Sequence, residues 1–308
     1  AWDEAARHWR LQTSQGLFTA DVFIFAAGAF SEPVVPALPG LERFQGKVMH
    51  SARWDSSYAL EGRRVAVVGT GASAIQFVPV IQPKVSRLVL FQRTPAWILP
   101  REDHPIAAWR QWLYAHVPGA RWLTRAGIYA VKELSALAFM HPWIIRIAQR
   151  GAKRHLRDSV KDPVLRAKLT PGYTMGCKRV LISDDYLPAL TQGNVEVVTE
   201  GIQEVREHSV VTTTGAEHPV DALIFGTGFQ ITEPAFARHI RGRDGRSLTQ
   251  TWAGSMKAHL GTSVSGFPNF FMLLGPNTGL GHTSVILMME AQFAHVLGAL
   301  RYLDGRGL

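Results

Sequence analysis

The stretch RVAVVGTGASAIQFVPVI, residues 64–81, decides the fold class of this chain. Its first five residues are almost continuously apolar, which predicts a buried strand over Arg64–Val68. GTGASA, residues 69–74, follows as a tight turn that opens a helix reaching about Ile81. The next apolar run, from Ser86 to Phe91, is a second strand. The order strand, turn, helix, strand predicts an α/β fold.

The turn has the G-x-G-x-x-A form that binds the pyrophosphate of a dinucleotide. Gly69 permits the tight turn, Gly71 lets the backbone approach the pyrophosphate, and Ala74 allows the helix to pack closely on the strand. The helix N-terminus offers free N–H groups to the anion. An ordinary glycine-rich turn is the alternative, but the flanking strand and helix favour dinucleotide binding. The candidate cofactor-binding residues of the turn are Gly69, Thr70, Gly71, Ala72, Ser73 and Ala74.

The end of the second strand indicates which dinucleotide the turn would bind. An NAD site has an acidic residue there, which holds the ribose 2′-hydroxyl. This chain has FQRTP at residues 91–95, so the position carries Arg93. A guanidinium group matches the geometry of a phosphate. The sequence therefore favours NADP(H), with an unliganded surface arginine as the alternative.

Bulk composition indicates a globular protein with a basic surface. The chain has 308 residues, which suits two domains or one large one, and 46% of them are hydrophobic. The formal net charge is +9, and much of it lies between Arg146 and Lys168. Such a basic segment can bind nucleic acid or a phosphorylated cofactor, or can simply be a solvated helix face. No nucleic-acid motif accompanies it, so no nucleic-acid partner is expected.

Cysteine content and hydropathy bear on the compartment. Cys177 is the single cysteine, so no internal disulfide can form, and a cytoplasmic location is expected. The most apolar stretch, from Ile128 to Ile147, is interrupted by Lys132 and Arg146, among others. These charges argue against stable membrane insertion. A helix packed within a soluble domain is favoured there over a helix lying on a membrane surface.

The remaining segments predict further strands and a helical insertion. Residues 9–20 are predicted to form a hairpin, and DVFIFAAG, residues 21–28, a buried strand. Residues 101–170 have helical periodicity without strand signals, and their tryptophans are expected to belong to the core. DALIFGTGF, residues 221–229, repeats the pattern of DVFIFAAGAF. A final strand and helix are predicted over residues 267–274 and 284–303.

The doublet Lys178-Arg179 has two possible meanings. In a solvated loop it would mean little, whereas near a phosphate or a developing anion it would form a clamp. The spacing alone does not decide between them. Cys177 lies in no Cys–His arrangement and is interpreted as a packing residue. No metal site is expected, because no ligand-like spacing occurs among the histidines considered, which are His50, His104, His141, His155, His208, His218, His259 and His282.

The stretch FQGKVMHSARWD, residues 44–55, fits neither an alternating strand nor an amphipathic helix. It resembles the fingerprint FxGxxxHxxxW, followed by Pro or Asp, of type I Baeyer–Villiger monooxygenases. The matching residues are Phe44, Gly46, His50, Trp54 and Asp55. FQRTP, GCKR at 176–179, GTGF at 226–229 and FPNFFMLLGPN at 267–277 also resemble family segments, in the family's order. Flavin-containing monooxygenases carry a similar fingerprint with Phe or Tyr in place of Trp.

The resemblance implies a flavoprotein with two Rossmann-like dinucleotide-binding domains, in which an NADP domain interrupts an FAD domain. Residues 1–40 and 215–308 would belong to the FAD domain, and residues 41–57 would be a linker carrying the fingerprint. Residues 58–214 would form the NADP domain, including the helical insertion 101–170. His50 would hold or couple the domains rather than act as an acid or base.

The resemblance also implies a chemistry and a set of roles. In the family, NADPH reduces FAD, the reduced flavin adds O2 as a C4a-peroxide, and attack on a ketone gives an ester or lactone. Arg179 would stabilise the negative charge on the peroxide. Lys178, Arg93 and Thr94 would hold the 2′-phosphate of NADP. The residues expected near the domain border and the flavin are Thr227, Gly228, Gly275 and Asn277.

The sequence departs from the family at its start. The N-terminal G-x-G-x-x-G that binds the FAD pyrophosphate in the family has no counterpart here. The chain is therefore expected to be N-terminally truncated and to bind FAD weakly while still binding NADP(H). Two alternatives stay open: a flavin-containing monooxygenase that oxygenates N or S atoms, and a non-catalytic NADP-binding module. The pair Trp54-Asp55 favours Baeyer–Villiger oxidation. The substrates are expected to be O2 and a small-molecule ketone or other organic compound. The identity of that compound and the oligomeric state are not indicated.

Overall fold

The computed structural model describes residues 1–101, 103–281 and 284–307, and the side chains of all of these except residues 135, 137–140 and 142. His282 of the histidine set lies outside the described residues. The described chain divides into two compact units. Unit 1 comprises Ala1–Pro33 and Phe229–Leu308, and unit 2 comprises Val34–Gly228.

The elements are numbered in chain order. The strands are β1 (Trp2–Asp3), β2 (His8–Thr13), β3 (Gly16–Ala20), β4 (Phe23–Phe25), β5 (Lys47–His50), β6 (Arg64–Val68), β7 (Arg87–Phe91), β8 (Ile98–Leu99), β9 (Leu181–Ile182), β10 (Val195–Val198), β11 (Ile202–Val205), β12 (Ser209–Thr212), β13 (Glu217–Pro219), β14 (Ala222–Phe225) and β15 (Phe270–Met272). The helices are α1 (Ala74–Ile81), α2 (Ala108–His116), α3 (Ala120–Met140), α4 (Pro142–Ser159), α5 (Pro163–Lys168), α6 (Tyr186–Leu190), α7 (Phe236–His239), α8 (Leu248–Trp252) and α9 (Val285–Asp304).

Unit 2 is built on a parallel five-stranded sheet in the order β10-β7-β6-β14-β5. Its strands are short and apolar, as expected for a sheet covered on both faces. Val65, Val67, Leu88 and Ile224 of one face pack with residues of α1 and α6. The other face packs against the antiparallel sheet β11-β12-β13. The predicted α/β architecture is therefore present, and β6, the turn and α1 have the predicted bounds.

Unit 1 contains the predicted hairpin and a small parallel pair. β1, β2 and β3 form an antiparallel sheet, and β4 pairs in parallel with β15. Trp9 is fully buried in the core of this unit, and its indole N–H donates to the Pro268 carbonyl at 2.8 Å. The prediction of a buried strand over residues 21–28 was only partly right. β4 spans three residues, and Ile24 is 44% exposed, whereas its partner Phe271 on β15 is buried.

The interpretation of residues 44–55 as containing no strand was wrong for Lys47–His50. This segment is β5, which pairs with β14 at the edge of the five-stranded sheet. An edge strand is covered unevenly, and here Met49 and His50 are both buried while Val48 is exposed. The polar–apolar alternation that signals a strand is therefore absent.

The boundaries of the compact units differ from the domain boundaries that the resemblance implies. Residues 34–40 lie in unit 2, where Leu38 packs against the sheet and the Pro39 carbonyl accepts a 2.8 Å hydrogen bond from the Val205 N–H. Residues 215–228 also lie in unit 2, because β14 is hydrogen-bonded between β5 and β6. The segment 41–57 is likewise part of this compact unit. Compact unit 2 thus runs from Val34 to Gly228, whereas the resemblance implies an NADP domain over residues 58–214.

The expectation that the tryptophans of residues 101–170 belong to the core was wrong for all four of them. This segment is helical as predicted, forming α2 to α5. However, Trp109, Trp112, Trp122 and Trp143 are between 58% and 68% exposed. No described helix is long and apolar enough to cross a membrane.

Candidate functional site

A cleft of about 890 Å³ opens at the carboxyl ends of β6 and β7 in unit 2. Loops that follow parallel strands emerge at the same edge of the sheet, so residues distant in sequence meet there. The cleft is lined by Val34, Pro36, Leu38, Val68, Gly69, Thr70, Gly71, Ala72, Phe91, Gln92, Arg93, Thr94, Pro95, Ala96, Tyr173, Lys178, Arg179, Leu181, Thr199, Glu200, Gly201, Ile202, Gly226 and Thr227. Nine of the residues selected from the sequence are among them: Gly69, Thr70, Gly71, Ala72, Arg93, Thr94, Lys178, Arg179 and Thr227.

The glycine turn forms the floor of this cleft. Gly69 has φ of +108°, and a Cβ atom built there would lie 2.6 Å from the Gly226 carbonyl oxygen. A Cβ built on Gly71 would meet no atom within 4 Å, so it would project into open space. Ala74 is fully buried at the start of α1, and Ser73 precedes it as the N-cap residue. The turn is therefore closed towards the sheet and open towards the cleft.

The cleft brings three cationic side chains beside the turn. Arg93 follows β7, and its neighbour Thr94 accepts a 3.1 Å hydrogen bond on its carbonyl from the Thr70 hydroxyl. Lys178 and Arg179 enter from the loop between α5 and β9, and both are exposed. The Lys178 Nζ atom lies 5.1 Å from the centre of the Tyr173 ring, in a cation–π contact. The cleft thus combines open backbone with a concentration of positive charge.

The remaining predicted cofactor residues occupy two places. The Thr227 hydroxyl donates to the Val34 carbonyl, and the Gly228 carbonyl accepts a 2.9 Å hydrogen bond from the Val34 N–H. Gly275 and Asn277 follow β15 in unit 1, where the Thr278 hydroxyl donates to the Gly275 carbonyl at 2.7 Å. Gly275 and Asn277 are therefore not part of the cleft in unit 2.

The fingerprint residues Phe44 and Gly46 are fixed by packing. Phe44 packs against the core between the two sheets of unit 2. A Cβ on Gly46 would lie 2.4 Å from the Asp221 carbonyl and 2.5 Å from the Phe44 ring. Asp221 also accepts hydrogen bonds from the Arg64 backbone N–H at 2.8 Å and from its guanidinium. Only glycine, whose side chain is a hydrogen atom, therefore fits at position 46 of the fingerprint.

Trp54 and Asp55 lie at the surface end of the fingerprint. The Trp54 ring is 5.6 Å from that of Phe77 on α1, and about a third of the residue is exposed. Asp55 forms an ion pair with Lys47 on β5 and accepts a 3.0 Å hydrogen bond from the Ser57 N–H. The hydrogen bond from Lys47, aided by those from Ser57, lowers the pKa of the Asp55 carboxyl to about 2. These contacts tie the fingerprint to α1 and β5.

His50 is buried at the end of β5. Its Nδ1 atom accepts a 3.1 Å hydrogen bond from the Ala52 N–H, which places the proton of the neutral ring on Nε2. Burial lowers the pKa of His50 below its ordinary value of 6.5, although a backbone hydrogen bond with Gly228 opposes this shift. His50 is therefore neutral at physiological pH, as a positioning residue would be.

The lowered pKa of His50 makes the stability of the chain depend on pH. The unfolded chain takes up the proton near pH 6.5, whereas the folded chain takes it up only at lower pH. Stability is therefore retained above pH 6.5 and falls as the pH drops below it, by at most about 1.4 kcal/mol per pH unit. We expect His50→Gln to flatten this fall in urea unfolding between about pH 7 and pH 5. His208→Gln, at an exposed histidine, is the control; parallel profiles for all three proteins would contradict the expectation.

Sequence reasoning missed several residues of the cleft. Residues 199–202, which are a short loop and the first residue of β11, follow β10. β10 lies next to β7 in the sheet although it comes much later in the chain. Pro36 and Leu38 line the cleft from the segment that enters unit 2. Tyr173 was not singled out, although the sequence PGYTMGCKR places it five residues before Lys178. Residues 199–202 follow a strand, which could have indicated that they line the cleft. That inference requires the strand order, which the sequence alone does not provide.

Metal ligands and the single cysteine add nothing to the site. Among the described residues, no group of three or more His, Cys, Asp or Glu side chains could hold a metal ion. Cys177 is exposed beside Lys178, so it is not the buried packing residue that the sequence suggested.

Comparison with known proteins found relatives in sequence and in fold. The family model "Flavin-binding monooxygenase-like" matches residues 2–115. A protein of Streptomyces coelicolor named Baeyer–Villiger monooxygenase is 49% identical over 308 residues, which is all of this chain and 59% of the relative. The open crystal structure of cyclohexanone monooxygenase superposes with a TM-score of 0.85 at 26% identity, covering 99% of this chain and 67% of that one. The crystal structure of the OTEMO complex with FAD and NADP (form 3) gives the same score and identity, with 99% and 66% coverage.

These comparisons confirm the resemblance that the motifs indicated. The chain is related over its whole length to proteins named Baeyer–Villiger monooxygenase, and its fold is that of the flavin monooxygenases. The chain spans 59% of the length of the two curated Baeyer–Villiger relatives.

Proposed function

We propose that this relative of the Baeyer–Villiger monooxygenases contributes the NADPH site and part of the flavin site of such an enzyme. The activity would be the insertion of one oxygen atom from O2 into a ketone, giving an ester or lactone, with FAD and NADPH as cofactors. The observation that carries the proposal is the convergence of the glycine turn with Arg93, Lys178 and Arg179 in one cleft of unit 2. The names and bound cofactors of the similar proteins support it.

The cleft suits NADP. A Cβ on Gly71 would meet no atom within 4 Å, so the turn leaves room for a pyrophosphate at the N-terminus of α1. A helix N-terminus favours an anion through its free backbone N–H groups and its dipole. Arg93 and Lys178 supply the two positive charges that a 2′-phosphate needs, and the Thr94 side chain is within the same wall. Tyr173 holds the flexible Lys178 side chain over the cleft through its cation–π contact.

Arg179 is proposed as the residue that stabilises developing negative charge. A guanidinium remains protonated at any working pH, so its charge does not depend on a proton supplied during the reaction. When bound, NADPH would supply hydride and FAD would activate O2. Arg179 would hold the anionic oxygen that forms near it, in a site that excludes water. Gly275 and Asn277 of unit 1 are proposed to approach the flavin.

The proposal is tested with this chain, supplied with FAD and NADPH. A cyclic ketone and a thioether are offered separately, and the products are identified by mass spectrometry. We expect ester or lactone from the ketone. Arg179→Ala should reduce product formation by about 10²- to 10³-fold, the usual cost of removing a group that stabilises an oxyanion. Arg206→Ala, which removes an exposed cation outside the cleft, is the control and should act like the unaltered protein.

A second candidate activity is the oxygenation of soft nitrogen or sulfur atoms. The match of residues 2–115 to the wider flavin-binding monooxygenase-like family favours it. Sulfoxide from the thioether, with no ester from the ketone, would replace the first proposal by this one. Absence of both products, with retained NADP binding, would leave an NADP-binding module.

A further inference from the structure

The helical segment of unit 2 presents an unusual surface to solvent. We call it the aromatic–arginine surface, and its apolar members, all at least 40% exposed, are Ile106, Trp109, Trp112, Val117, Trp122, Leu123, Ile128, Tyr129, Val131, Leu134, Trp143 and Ile147. Isolated exposed apolar residues are normal, whereas many of them on successive helices are typical of an interaction site. Four of these exposed residues are tryptophans, a side chain that is usually buried.

Helix α2, and α3 over residues 121–134, lack the buried face that normally stabilises a helix. No residue of α2 is buried, and no side chain between Arg121 and Leu134, all of which the structure describes, is buried either. By contrast, α4 packs against the unit through Ala152 and Leu156. Helices in proteins draw most of their stability from packing an apolar face. The exposed apolar side chains of α2 and of residues 121–134 in α3 are therefore available for contact with a partner.

The surface is also strongly cationic. Between Ile106 and Arg150 the chain has one acidic residue, Glu133, in the parts that the structure describes, and six lysines and arginines, namely Arg110, Arg121, Arg125, Lys132, Arg146 and Arg150. Trp143 and Ile147 lie one turn apart on α4, with Arg150 one turn further on the same side. Arg110 lies over the Trp109 ring, 5.5 Å from its centre.

We propose that the aromatic–arginine surface docks on an anionic lipid bilayer. Tryptophan and tyrosine prefer the boundary between headgroups and acyl chains, and cations beside them attract anionic headgroups. Docking would be peripheral, because no described helix could span a membrane. Pairing with a second copy about a two-fold axis would bring the same cations face to face, which is unfavourable. The inference does not depend on the proposed oxygenase activity.

The test is flotation of the purified chain with vesicles. One set is phosphatidylcholine alone, and the other contains a minority of phosphatidylglycerol. We expect binding to the anionic vesicles only, weakening as salt is raised. The triple change Arg121→Gln, Arg146→Gln and Arg150→Gln should weaken binding by at least about tenfold, since each cation contributes about fivefold. The triple change Trp109→Gln, Trp112→Gln and Trp122→Gln should weaken it by about as much.

Matched controls distinguish binding by this surface from a general effect of net charge or of exposed apolar side chains. Arg10→Gln, Arg43→Gln and Arg243→Gln remove the same charge elsewhere and should leave binding within about twofold. Leu17→Gln, Phe18→Gln and Leu260→Gln remove exposed apolar groups of unit 1 and should do likewise. Far-UV circular dichroism shows whether each variant is folded.

Four outcomes would overturn the proposal. The first is no binding to anionic vesicles, and the second is equal binding by neutral vesicles. The third is self-association of the chain in sedimentation equilibrium that the tryptophan changes abolish. That third result would assign the surface to contact between copies. Equal loss in the control and test variants would also contradict it, since binding would then follow net charge rather than this surface.

Discussion

Replacing Arg93 with alanine is expected to lower the affinity for NADPH by about 10- to 100-fold and to leave the affinity for NADH within about twofold. The two nucleotides differ only in the 2′-phosphate. A hydrogen bond between charged groups contributes about 1.5 to 3 kcal/mol, and Arg93 is the cation at the end of β7 where this phosphate is proposed to lie. Isothermal titration calorimetry of the chain with both nucleotides measures the difference.

Two further variants make this result specific. Arg93→Lys keeps the charge but loses the planar fork, so part of the preference for NADPH should return. Arg87→Ala, at the exposed start of the same strand, removes a cation far from the cleft lining and should leave both affinities unchanged. A parallel loss for NADH and NADPH in Arg93→Ala would place the 2′-phosphate elsewhere and remove the main support for NADP over NAD.

Replacing Gly69 with alanine is expected to destabilise unit 2 by about 2 to 4 kcal/mol. The new Cβ would lie 2.6 Å from the Gly226 carbonyl oxygen, which belongs to the backbone and cannot rotate away. The backbone at Gly69 also has φ of +108°, a conformation that residues with a side chain rarely adopt. Both terms oppose the substitution, and urea unfolding followed by circular dichroism measures their sum.

Gly71→Ala is the matched comparison, because it adds the same methyl group two residues away. Its Cβ meets no protein atom within 4 Å, so stability should change by less than about 1 kcal/mol. The methyl group would, however, occupy the space proposed for the pyrophosphate, and NADPH affinity should fall by about tenfold or more. Equal stability losses in both variants would contradict the geometry of the turn, and unchanged affinity in Gly71→Ala would contradict the placement of the nucleotide.

The parts of the site that the sequence predicted are those encoded within one short segment. The strand, the glycine turn and α1 form a single run, and Arg93 ends the adjacent strand, so local pattern was enough to place them together. Lys178 and Arg179 had no such neighbour. Only the fold, which returns the chain to the same sheet edge, decides that these two cations face the cleft instead of solvent alone.

The features that the sequence did not predict depend on neighbours distant in the chain. β5 lacks alternation because it is an edge strand, and its pairing partner β14 lies far along the chain. Residues 199–202 reach the cleft only because β10 lies beside β7. The tryptophans of α2 and α3 have helical spacing that is typical of a core, yet periodicity identifies an apolar face without saying what covers it.

The two ends of unit 2 meet, since the Val34 N–H donates to the Gly228 carbonyl at 2.9 Å and the Thr227 hydroxyl donates to the Val34 carbonyl. This has a consequence for how the chain folds. β4 and β15 pair across an intervening segment that contains all of unit 2. Once unit 2 has formed, its ends are held together, so the loop that separates β4 from β15 is effectively shorter. The entropic free-energy cost of bringing β4 and β15 together then falls by about 1 kcal/mol. During synthesis from the N-terminus, β4 would therefore remain unpaired until unit 2 has folded and β15 has been synthesised.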